Sequence, residues 1–166
     1  MRLSAGPPPG FDEMYRREYA GLVAVAMAVT GDRDGAPDLV HDTMVKALIR
    51  WERVSQLDSP GAWCHHVLVN ACRSQLRRRS TQWRYLARQR RVEPSTPEPS
   101  TDTIAFWQVV HTLPSRPRTV VALRFGADLT SVQIAAVLEI PEGTVRSDLA
   151  AARRTILAAL REDPDA

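Results

Sequence analysis

From Ser59 to Val92 the chain carries eight arginines and no acidic residue. The stretch "NACRSQLRRRSTQWRYLARQRR" mixes these guanidiniums with Trp83 and Tyr85 and opens on Asn70. Guanidinium groups neutralise phosphates and release counterions, and aromatic rings stack on bases. The overall charge of +3 conceals this segment, because the flanks are net acidic, −2 over 1–58 and −3 over 93–166. A charge run is often no more than a solvated helix end. A lack of any counter-charge over 34 residues favours nucleic acid.

A second candidate lies in "LTSVQIAAVLEIPEGTVRSDLAAARR", Leu129 to Arg154. Thr130 with Gln133 three residues on is a capping box, and it opens a short helix whose expected inward stripe is Val132, Ile134, Ala135 and Leu138. The break at Glu139–Ile140–Pro141 allows a second helix to start at once, with Val145 and Leu149 inward. Thr144, Arg146, Ser147 and Asp148 surround its first turns. Short helix, tight turn and polar-fronted helix make a helix-turn-helix, in which the second helix enters the major groove. Arg146 can pair with guanine there. Asp148, roughly 200° around the helix from Arg146, either opposes a phosphate strand or pairs with Arg116, Arg118 or Arg124.

The elements that must carry these groups read as nearly all helix. Apolar residues recur at three and four rather than alternating. Helices are expected over 11–30, from about 36 to Trp51, 60–79, 104–113, 117–125, 130–138 and 142–160. Asp34 is a candidate cap for the second helix and Ser59 for the third. The second helix should bury Leu39, Val40, Thr43, Met44, Ala47, Leu48 and Trp51, leaving Val45 and Ile49 outside the stripe. "RVEPSTPEPSTD", with three prolines, cannot pack and reads as a linker. The expected fold is therefore all-α: a helical unit over 11–90, a linker over 91–102 and a second helical unit over 103–162. Units of that size are only marginally stable alone.

Other classes fit poorly. The longest apolar run, Gly21 to Val29, falls far short of a membrane span, and "MRLSAGPPPG" is no secretory signal, so a cytoplasmic protein is expected. Cys64 and Cys72, about 12 Å apart along one helix, are too far apart for a disulfide. No spacing suggests a metal site, with His41, His65 or His66 as partners for Cys64 the weak exception. A nucleophile elbow and a phosphate loop are absent. No cofactor, metal or catalytic residue is expected, and the chain is not expected to be an enzyme.

Two helical units, a basic helix before a Pro-rich linker and a C-terminal helix-turn-helix resemble a bacterial RNA polymerase sigma factor of the extracytoplasmic-function group of the sigma-70 family. "YRREYAGLVAVAMAVTGDRDGAPDLVHDTMVKALIRW" looks like region 2.1–2.2, "SPGAWCHHVLVNACRSQLRRR" like region 2.3–2.4, and "LPSRPRTVVALRFGADLTSVQIAAVLEIPEGTVRSDLAAARR" like region 4. The resemblance implies a promoter-recognition subunit that binds core RNA polymerase through its β′ clamp and β flap and directs promoter melting. It also implies an anti-sigma factor as a candidate partner. Asp38, His41 and Asp42 would face the clamp, with Val45 and Ile49 as exposed apolar neighbours. Asn70 would capture a minus-ten base, with Arg73, Arg77, Arg78 and Arg79 on phosphates. Thr144, Arg146 and Ser147 would meet the minus-thirty-five element, and Arg153 its backbone. His41 stands where the family usually has glutamine, Glu139 where it has glycine and Asp148 where it has a basic residue. A stand-alone helix-turn-helix regulator is the competing reading.

Overall fold

The computed structural model describes residues 6–86 and 101–162, with side chains over 6–79 and 105–161. Eight helices follow one another in these stretches: α1 (Phe11–Thr30), α2 (Ala36–Ile49), α3 (Trp51–Val54), α4 (Pro60–Leu86), α5 (Thr101–Thr112), α6 (Ser115–Gly126), α7 (Ser131–Leu138) and α8 (Glu142–Glu162). No strand occurs among the described residues.

Most boundaries follow the local signals. Gly31 ends α1 in the left-handed region and returns its N–H to Met27 O. Ser59 caps α4 by accepting from the Ala62 N–H at 3.2 Å, and Thr130 and Gln133 form the expected capping box on α7. Asp34 does not cap α2. Asp32 reaches back instead, its Oδ1 accepting the Gly35 N–H at 2.9 Å, because the loop turns through a tight αR residue at Gly35. The expected second helix breaks at Arg50, and α3 follows as a separate turn that swings Trp51 inward. There the Trp51 indole donates to Pro9 O at 3.0 Å and its ring meets Phe11 edge-on. Helix α4 continues to Leu86, seven residues past its expected end. The proline-rich stretch lies outside the described residues, apart from Thr101 and Asp102, which open α5.

Two inward stripes need correction. Leu48 is exposed, because it lies at the edge of the buried stripe, about 80° around α2 from Val40. Val132 is 64% exposed, and Val137 takes its place beneath α7. The short α7 buries Ile134, Val137 and Leu138, with Ala135 packed beside them.

The two helical units share one interior. Leu22, Val25, Val40, Met44, Cys64, Leu68 and Val69 of the first unit lie in the same buried cluster as Val120, Leu123, Ile134, Val137 and Val145 of the second. A smaller cluster, Val110, Leu113, Val121, Ala152 and Ile156, ties α5 to α6 and α8. Small residues bring α1 and α6 together. A Cβ on Gly21 would stand 3.3 Å from Ala127, and one on Gly126 would stand 3.2 Å from the Ala24 methyl. Sharing a core removes the marginal stability that either unit would have alone.

Cys64 and Cys72 are buried thiols, and burial pushes both up to about 12. A thiol at that value carries almost no thiolate at neutral pH.

Two carboxylates make the fold acid-sensitive. A hydrogen bond from His65 holds Glu18 below its ordinary 4.5, with Arg17 assisting. The Gly35 N–H, with Arg79 behind it, holds Asp32 below its ordinary 3.8. A depressed carboxylate stabilises the fold fully above its unfolded pKa, and that contribution disappears as pH falls through the folded one. Thermal stability should therefore be flat down to about pH 5 with respect to these two groups and decline below about pH 4. Melting curves of Glu18→Gln and Asp32→Asn between pH 3 and 7 should start lower and show a shallower acid decline. An acid decline as steep as in the parent chain would exclude these two groups as its origin.

Candidate polymerase and nucleic-acid interface

Asp38, His41, Asp42, Val45 and Ile49 share one face of α2, spaced at three and four, and all are exposed. Ile49 is 77% exposed and Val45 is 38% exposed. An exposed apolar pair on the same face as two carboxylates suits a protein partner. This face runs into an open cavity of about 630 Å³ between α2 and α4, lined by Leu39, Asp42, Lys46, Asn70, Ser74 and Arg78 among others.

Helix α4 forms the other wall. Asn70, Ser74 and Arg78 follow at steps of four and line the cavity together. Asn70 and Arg78 are exposed, and Arg77, also exposed, donates to Ser74 Oγ at 2.9 Å. Arg73 is half-buried. Arg79 pairs with Asp32 on the α1–α2 loop, where Gln75 also reaches the same carboxylate at 3.4 Å. The Arg79 pair ties α4 to the loop between α1 and α2. The side chains of Trp83 and Tyr85, and of the later arginines of the basic run, lie outside the described set.

Sequence reasoning weighed His66 only as a weak metal partner of Cys64. It lies one turn before Asn70, and its Nε2 is 3.0 Å from the Asn70 amide nitrogen. Its Nδ1 is 2.9 Å from the Val137 carbonyl on α7. The i, i+4 spacing of His66 and Asn70 was visible in the sequence, whereas the contact to Val137 arises from tertiary packing.

In the C-terminal unit Arg146, Ser147 and Arg153 are exposed and Thr144 is half-buried. Glu142 holds Arg146, accepting from Nε at 3.1 Å and from Nη2 at 2.6 Å. Ser147 Oγ donates to Thr144 O at 2.9 Å. Of the three candidate partners for Asp148, the fold selects Arg116, which donates through Nε at 2.7 Å and Nη2 at 3.0 Å. Asp148 is buried. The two-residue step from Arg146 sends it inward, and the pair bolts α8 to the first turn of α6. The ion pair also raises the Arg116 guanidinium above its usual range. Glu139 caps α7 at φ 55°, a left-handed position that glycine occupies without strain.

Comparison with known families places both units. Residues 14–82 match the model for Sigma-70 region 2, and residues 103–156 match that for Sigma-70, region 4. The chain belongs to the sigma-70 family. It is similar to the RNA polymerase sigma-E factor of Streptomyces antibioticus, 28% identical over 170 residues that cover 97% of this chain and 88% of that one. It also resembles the probable RNA polymerase sigma factor RfaY of Xanthomonas campestris pv. campestris at 26% identity, over 81% of this chain. The match spans 36% of that longer relative. Its fold matches that of the sigma factor RpoE of Bartonella quintana, solved in complex with the anti-sigma factor NepR. The TM-score is 0.80 at 24% identity, covering 92% of this chain and 98% of that one. The first unit of this sigma factor is thus region 2, α1–α4, and the second is region 4, α5–α8. Relatives named as extracytoplasmic-function sigma factors, such as SigM of Mycobacterium tuberculosis, place it in that group. No helix among the described residues is long and apolar enough to cross a membrane.

Proposed function

We propose that this chain binds core RNA polymerase through α2, captures the melted minus-ten strand on α4 and reads the minus-thirty-five element with the start of α8. The observation that carries this reading is the shared cavity, where Asp42 of the α2 face and Asn70 and Arg78 of the basic helix line one space. A subunit that must hold a strand against the polymerase needs its protein contact and its base contact side by side. Asp38, His41 and Asp42 supply charge and hydrogen bonds to the β′ clamp, while Val45 and Ile49 supply apolar area. Asn70 takes a base edge, and Arg73, Arg77 and Arg78 take phosphates. Region 4 meets the β flap and the upstream element through Thr144, Arg146, Ser147 and Arg153. The chain then works in the cytoplasm as a specificity subunit with no catalytic centre of its own, and an anti-sigma factor is a fitting regulator.

Run-off transcription with core polymerase on genomic fragments tests the reading: discrete transcripts are expected with the chain and none without it. Asp42→Arg places a cation in the acidic α2 face. Core polymerase should no longer co-purify with it, while its melting temperature stays within a degree or two of the parent, since Asp42 is exposed. A folded Asp42→Arg chain that still retains polymerase removes the clamp assignment.

A further inference from the structure

The exposed arginine at the start of α8 is held from one side. Glu142, the first residue of the helix, lies one turn before Arg146. A single carboxylate oxygen, Oε1, accepts from Arg146 Nε at 3.1 Å and from Nη2 at 2.6 Å. A guanidinium carries five N–H donors in a rigid planar fork. Glu142 engages two of them, on the side edge. The donors that these bonds leave over lie at the far end of the group, on Nη1 and Nη2. That end still offers two adjacent N–H groups, the pattern that matches O6 and N7 of guanine.

We propose that Glu142 is a specificity-determining residue of the upstream DNA contact: it aims the Arg146 guanidinium at a base edge and cancels its charge toward phosphates. The inference rests on the reading of Arg146 as a residue that meets the minus-thirty-five element.

Conformational freedom argues the first half. An unheld arginine samples many rotamers and loses them when it binds. Two bonds to Glu142 set the guanidinium plane before DNA arrives, which lowers the ordering cost for the one base edge that the fork faces. A phosphate, with acceptor oxygens on several sides, gains far less from a fixed direction.

Charge argues the second half. Binding to DNA of any sequence comes from neutralising phosphates and releasing their counterions. Paired with Glu142, Arg146 adds almost no net charge to the first turns of α8. Thr144 and Ser147 beside it are neutral, and Ser147 Oγ is turned back to Thr144 O. The Asp148 carboxylate is spent on Arg116. The start of α8 thus presents oriented donors with little attraction for a bare backbone, and exposed Arg153, about two turns on, is left to supply it. A carboxylate in a first helical turn also stabilises the helix through its dipole. That role alone would change the melting temperature and leave base preference as it is.

Two variants separate these roles. Glu142→Ala removes both the acceptor and the charge, whereas Glu142→Gln keeps an acceptor oxygen and removes only the charge. The full chain, both variants and Arg146→Ala each select bound sequences from a randomised duplex pool. Affinities for the selected duplex and for an unrelated one are then measured across salt concentration, beside a melting curve for each protein. The position whose guanine disappears with Arg146→Ala is the one that Arg146 reads. Glu142→Ala is expected to lower the guanine preference at that position about fivefold. It should also tighten the unrelated duplex about three- to tenfold at low salt and steepen the salt dependence by about one unit of slope, since one more phosphate is neutralised. Glu142→Gln should show the same tightening and the same steeper slope while keeping most of the guanine preference. An unchanged guanine preference in Glu142→Ala overturns the aiming role, and an unchanged slope in both variants overturns the charge role. A lower melting temperature with the parent's preference and slope overturns both and leaves Glu142 as a helix-dipole residue. If Arg146→Ala itself removes no preference, or the parent selects no sequence, the base-reading role of Arg146 falls, a result distinct from the others.

Discussion

Leu123→Ala is expected to lower the stability of the whole chain by about 2–5 kcal/mol, the range for emptying a buried leucine site that cannot collapse. Leu123 is fully buried on α6. Its neighbours in the shared cluster include residues of α1, α4 and α7. A chain of this size has only about 5–15 kcal/mol to lose, so the variant should be partly unfolded at physiological temperature. The form of the transition is as informative as its midpoint. Because region 2 and region 4 bury a common interior, Leu123→Ala should shift one cooperative transition seen equally by region 2 and region 4 probes. Differential scanning calorimetry supplies the test. Two separate transitions, with only the region 4 transition moved, would mean that the units fold independently and that the shared cluster adds little.

That shared interior was the part of the fold hidden from the sequence. Helical periodicity gave the elements, since Val40, Thr43, Met44 and Ala47 of the expected α2 stripe repeat at helical spacing and are all buried. Capping chemistry gave several ends: Ser59, Thr130 and Gln133 act through bonds to residues three positions away. What failed was non-local. Val132 fits an amphipathic stripe, yet it is exposed because α7 is packed on α4 and α8, which select Val137 instead. Asp34 fits a cap by its position, yet no side chain caps α2; Asp32 instead takes the Gly35 N–H in the preceding loop, where Arg79 arrives from α4 to pair with it. The site divides in the same way. The α2 face and the Asn70–Arg78 line follow from spacing on single helices, and both lie on one cavity. The pairings of Arg79 with Asp32 and of His66 with Val137 join residues more than thirty positions apart, and for Asp148 the sequence offers Arg116 only as one of several alternatives. Nothing in local composition distinguishes such a partner from a solvated charge.

Arg146→Ala should weaken binding to the preferred minus-thirty-five sequence by about 5–150-fold, the factor that corresponds to ~1–3 kcal/mol for a bidentate arginine–guanine pair. Binding to unrelated duplex should change far less, since one exposed cation contributes only a small part of the phosphate term. The structure adds a refinement, because Glu142 already holds Nε and Nη2 of Arg146 through one carboxylate oxygen. That exposed pair is worth little as stability, but it fixes the direction of the guanidinium at the start of α8. Asp148 serves as the internal control. Had it faced a phosphate strand, Asp148→Ala would tighten all duplexes equally. It is instead buried against Arg116, so its removal should leave the duplex affinity of the folded protein unchanged and lower the melting temperature by about 3–8 °C, as expected for a lost charge-assisted bond in a chain of this size. Selection of bound sequences from a randomised duplex pool, run beside a melting curve for each variant, separates the two roles. The Arg146→Ala pool should lose a guanine at one position and otherwise match the parent pool. If both variants return the parent's sequence preference, α8 does not read bases through Arg146. If Asp148→Ala tightens every duplex at unchanged melting temperature, the Asp148 carboxylate faces DNA and the Arg116 pair is incidental to the fold.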